Sequence, residues 1–134
     1  MQPETKQVIV DFFLAIPGTA AVYLFGSQLT PDRLHPGSDI DLAVLFEHEK
    51  LPNPLELLEI RERLSELLKI DLDLVSLNEN NPIVGMQILE KGQLILNINP
   101  RANHEWAMRL ITDYADLKHL RKPTEEGLLR SLRQ

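Results

Sequence analysis

Residues 37 to 46 read Gly-Ser-Asp-Ile-Asp-Leu-Ala-Val-Leu-Phe. From Ile40 onward the run is apolar and suited to a pleated surface, so it reads as a strand buried between covering layers. Aspartate is among the residues most depleted in strands, yet Asp39 and Asp41 open this one. Residues two apart in a strand share a face, with Cα atoms about 6–7 Å apart. Two like charges so placed work against folding unless something compensates them.

A hard cation is one compensation. Mg²⁺ binds through one or two carboxylates together with substrate phosphates, and two ions about 3.5–4 Å apart can share such a pair. The run Ile70-Asp71-Leu72-Asp73-Leu74-Val75-Ser76-Leu77 repeats the spacing in what reads as a third strand. If it neighbours the second, Asp71 or Asp73 closes the site from the side. A strand start facing solvent is the plain alternative.

The stretch between the first two strands holds two Gly-Ser pairs. Gly37-Ser38 runs straight into the aspartate strand, which suits a change of chain direction. Gly26-Ser27 ends the apolar run 20–25 and opens a loop, where a glycine permits close approach and free N–H groups can grip phosphates.

Around these motifs the chain alternates. A helix from about Pro3 carries Val8, Phe12 and Phe13 and stops at Pro17-Gly18. Asn53, Pro54 and Glu56 supply a cap, a first-turn proline and a capping-box acid for a second helix. Its expected apolar stripe is Leu55, Leu58, Leu64, Leu67 and Leu68, with Glu56, Glu59, Arg61, Glu62 and Arg63 on a solvated face. A short helix follows from Asn81-Pro82 and closes at Gly92 as an expected left-handed C′ residue. Residues 93–98 read as a fourth strand. A last helix from Pro100 carries Trp106, Leu110, Ile111, Tyr114 and Leu117, and Pro123 is expected to end it. The order αβ(loop)βαβαβα predicts an α/β or α+β domain, a small mixed sheet flanked by helices, over residues 1–122, with 123–134 a short amphipathic tail.

A formal charge of −6 disfavours direct nucleic-acid binding, which depends on clustered Lys and Arg, and favours a basic protein partner. There is no cysteine, hence no disulfide or thiolate zinc site. No run approaches the roughly 20 apolar residues of a membrane span, and the N-terminus is unlike a signal peptide, so the expected location is cytoplasmic. The four histidines have no ligand spacing.

Phe25-Gly26-Ser27, eleven residues, and then Asp39-Ile40-Asp41-Leu42 together resemble the signature of the DNA polymerase β-like nucleotidyltransferase superfamily. The chain length and Leu72-Asp73-Leu74-Val75-Ser76-Leu77-Asn78 resemble its minimal nucleotidyltransferases, in particular the MntA-type antitoxins paired with HEPN ribonuclease toxins. The likeness spans roughly residues 8 to 120. It implies a polymerase β-like fold, with Gly26 and Ser27 binding nucleotide phosphates and Asp39, Asp41 and Asp73 as catalytic carboxylates holding two Mg²⁺ ions. Asp73 matches the family pattern better than Asp71. The implied reaction moves AMP from Mg-ATP to a tyrosine of the cognate HEPN toxin, releases pyrophosphate and neutralises the toxin within a hetero-oligomer. Two departures stand out: the loop is one residue longer than is usual, and Gln28 stands where a basic residue often follows Gly-Ser, with Arg33 available as a substitute charge. Two rival readings are a binding-only antitoxin acting by occlusion and a small-molecule nucleotidyltransferase working with a separate helical subunit.

Overall fold

The computed structural model describes residues 1–25, 39–79 and 81–133, the stretch 119–133 by its backbone. In chain order the elements are α1 (Pro3–Leu14), β1 (Thr19–Phe25), β2 (Ile40–Phe46), a 3-10 turn (His48–Lys50), α2 (Pro54–Leu68), β3 (Leu72–Ser76), α3 (Pro82–Lys91), β4 (Gln93–Asn97) and α4 (Pro100–Arg133). The strands form one mixed sheet in the order β3-β2-β1-β4. β1 runs antiparallel to both β2 and β4, and β2 and β3 are parallel, joined through α2.

Alternation along the central strands divides the core in two. Val22 and Leu24 of β1, Ile40, Leu42, Val44 and Phe46 of β2, and Leu72 and Leu74 of β3 face Ile9 and Phe13 of α1 and Ile60 and Leu64 of α2. The opposite face, with Ala21, Tyr23, Phe25, Ala43 and Leu45, packs against Ile88 of α3 and Trp106 and Leu110 of α4. β1 and β2 are therefore buried on both sides, which explains their nearly continuous apolar sequence.

The helix starts are set by local chemistry. Asn53 Oδ1 accepts from the Glu56 N–H at 2.8 Å while Glu56 Oε1 accepts from the Asn53 N–H at 3.1 Å, completing the expected capping box. Asn81 and Asn99 cap α3 and α4 by accepting from Val84 N–H and Ala102 N–H, each just ahead of a first-turn proline. Between α1 and β1, Gly18 has φ +87°, and a Cβ there would stand 2.5 Å from Lys50 Cβ.

Several sequence expectations are corrected. The buried stripe of α2 is Leu57, Ile60, Leu64 and Leu68, while Leu55, Leu58 and Leu67 are exposed. Leucines spaced this densely satisfy two helical stripes, and the sheet selects one. Gly92 has φ −74°, not a left-handed conformation; its glycine is needed because a Cβ would come 2.4 Å from the Ile88 carbonyl oxygen. Ile111 is exposed, and Trp106 and Leu110 make the buried contact of α4. The backbone of α4 runs through Pro123 to Arg133, so Pro123 does not end the helix as expected. A proline removes one backbone donor and crowds the preceding turn, but it does not end every helix.

Candidate active site

Asp41 sits in β2 at 2% exposure, and Asp73 sits half-buried in β3. They are register partners on adjacent parallel strands, about 4.8 Å apart at the backbone. Partners in such a pair point to the same face, here the face of Ala43, Leu45 and Val75. On its other side Asp41 pairs with Phe25, the last residue of β1, from which the chain continues directly into Gly26-Ser27.

Asp39 lies just before β2 rather than within it, at an exposed bend. It is nevertheless positioned. Its N–H donates to the Asp71 carbonyl at 2.9 Å, and its Oδ2 accepts from the Asp71 N–H at 3.3 Å. Asp39, Asp41 and Asp73 are thereby brought to one end of the sheet, and each makes contacts in the folded chain. Asp71 takes another part: its carboxylate is paired with Arg61 of α2 at 3.7 Å. Gly26, Ser27, Gln28 and Arg33, the expected phosphate-binding and basic positions, lie outside the described residues.

The register that levels Asp41 with Asp73 is held beyond the strand ends. Asn78 Oδ1 accepts from the Phe46 N–H and its Nδ2 donates to the Phe46 carbonyl, both at 2.9 Å, while the Leu77 N–H donates to the Val44 carbonyl at 2.9 Å. A slip of one residue would turn Asp73 to the opposite face. Sequence reasoning gave Asn78 no role. It also placed Arg61 on a solvated face, whereas Arg61 is two-thirds covered and its Nε donates to the Leu72 carbonyl at 2.9 Å.

Carboxylate oxygens are the donors that Mg²⁺ and similar hard cations take. Among the described residues no three acidic or imidazole groups stand close enough to form a finished metal cage. The three aspartates supply the donor chemistry that a divalent ion takes.

Tyr23 lies on the same sheet face. Its hydroxyl donates to Asn103 Oδ1 at 2.6 Å, and its ring lies 5.7 Å from that of Trp106. Burial pushes its pKa above the usual value. It is a core residue, and so is Trp106.

Residues 7–101 match the family described as polymerase beta, nucleotidyltransferase. The chain belongs to this family and is a nucleotidyltransferase. It is 30% identical over 103 residues to the protein adenylyltransferase MntA of Shewanella oneidensis, a match covering 77% of this chain and 71% of that protein. Among solved structures it is similar to a chain of a toxin–antitoxin MntA–HepT complex, with a TM-score of 0.75 and 23% identity over 96% of this chain and 99% of the other. A chain of a toxin–antitoxin complex with AMP-PNP matches with a TM-score of 0.74 and 25% identity over 92% and 98%. A chain of the complex of tri-AMPylated Shewanella oneidensis HEPN toxin with MNT antitoxin matches with 0.74 and 24% over 96% and 99%. No described helix is long and apolar enough to cross a membrane.

Proposed function

We propose that this chain is the antitoxin of a HEPN toxin–antitoxin pair and transfers AMP from Mg-ATP to a tyrosine hydroxyl of its ribonuclease partner, in the cytoplasm. The observation that carries the reading is the level placement of Asp41 and Asp73 on parallel strands, with Asp39 tied in beside them. Gly26 and Ser27 would receive the nucleotide phosphates. Asp39, Asp41 and Asp73 would hold two Mg²⁺ ions, which when bound supply charge neutralisation on the phosphates and on the entering oxygen. Asp73 would accept the proton of the acceptor hydroxyl. The tyrosine oxygen bonds to the α-phosphorus, the bond from that phosphorus to the β-bridging oxygen breaks, and pyrophosphate leaves. Most of the catalysis in such a transfer is positioning and electrostatics, which the rigid β2/β3 pair suits.

The test is to incubate the chain and its HEPN partner with ATP labelled at either the α- or the γ-phosphorus. Label from the α position should appear on the partner and label from the γ position in pyrophosphate. Transfer of the γ label would overturn the reading, and so would a tight, unmodified complex, which indicates occlusion.

A further inference from the structure

The strand β3 lies at one edge of the sheet. Consecutive residues of a strand turn their main-chain groups to opposite sides. Asp71 directs its N–H and carbonyl to Asp39, so the Leu72 carbonyl is directed away from β2, to the open edge. Arg61 reaches that edge from α2, where its Nε donates to the Leu72 carbonyl at 2.9 Å and its Nη2 stands 3.7 Å from Asp71 Oδ1. One guanidinium thus grips Asp71, just before β3, and Leu72, the first residue of β3, and Asp71 holds the Asp39 carboxylate on its other side.

We propose that Arg61 is a positioning residue: through the Leu72 carbonyl and Asp71 it sets the place of Asp39 and so the affinity of the carboxylate site for its divalent ion. The inference rests on the reading of Asp39 as a metal ligand. A planar fork with several donors can make both contacts at once, whereas a lysine ammonium has no such paired geometry. Groups that orient a ligand typically matter 10–100-fold for metal affinity.

The experiment titrates Mn²⁺ into the full chain by EPR, with an ATP analogue carrying a methylene bridge between the α- and β-phosphorus atoms. Arg61→Met keeps the aliphatic stem and removes the fork, and Mn²⁺ affinity should fall about 10-fold or more. Asp71→Asn keeps the main chain but breaks the ion pair, and should weaken binding less than Arg61→Met while still exceeding twofold. It decides the question alone if Arg61→Met does not fold. Arg61→Lys should not recover wild-type affinity. Affinity within twofold of wild type in Arg61→Met and Asp71→Asn, even with a lowered Tm, would assign Arg61 to stability alone and overturn the proposal. Asp39→Ala serves as the separate control: if it too binds Mn²⁺ as wild type does, the reading of the site fails rather than the role of Arg61.

Discussion

Asp41 is the residue at which stability and function pull apart. A carboxylate at 2% exposure in a strand is costly to bury in its charged form, and aspartate is a poor strand former. Asp41→Asn is isosteric and neutral. It should unfold at or above the wild-type Tm, by up to about 1 kcal/mol in stability, in a calorimetric scan without added metal. A clear drop in Tm would show that the charge is structural. Tyr23 gives a second expectation. Its folded pKa lies above the value of 10.0 that it takes in an unfolded chain, so the native state keeps this proton longer. Stability from this group is therefore complete below about pH 10 and declines as pH rises through the folded value. Denaturant titrations should show a steeper alkaline loss for wild type than for Tyr23→Phe, and parallel curves would contradict the burial argument. At this scale the sequence was most legible where a residue violated its surroundings, as Asp39 and Asp41 do. Arg61 was not legible, because an arginine among glutamates on a helix has the same pattern whether it meets water or a neighbouring strand.

Among the elements, the sequence pattern identified every described strand, since β1 and β2 are short apolar runs between turn residues and β3 alternates. Boundaries moved by a residue or two where pairing decided them: β2 starts at Ile40 and β3 at Leu72 because their ladder begins there. Helix α2 was read with its face partly wrong, since Leu55, Leu57, Leu58, Leu64, Leu67 and Leu68 allow two stripes and only packing on the sheet distinguishes them. The observed face makes a measurable distinction. Leu64→Ala removes a wholly buried side chain and should cost about 2–5 kcal/mol. Leu67→Ala removes one that is 58% exposed and should stay within about 0.5 kcal/mol. Chemical denaturation of the two variants checks this, and equal losses would contradict the assigned face.

For the whole molecule, a four-stranded sheet covered by α1 and α2 on one face and α3 and α4 on the other presents the carboxylates at the end where β1 leaves for Gly26-Ser27. Helix α4, at 34 residues, is about 51 Å long, more than twice the span of a seven-residue strand. Its continuation past Pro123 was hidden from sequence reasoning because a proline's penalty is local, while the strong helix formers on either side of it act over several turns. The central claim is that the three aspartates form an AMP-transfer centre directed at a partner protein. Its most direct test is the intact mass of the HEPN partner after incubation with Mg-ATP and either wild-type chain or Asp41→Asn, with complex formation followed by gel filtration. The wild type should add one or more AMP units to the partner, and Asp41→Asn should add none while still binding it. Equal modification by both chains, or none by either with the complex intact, would contradict the account.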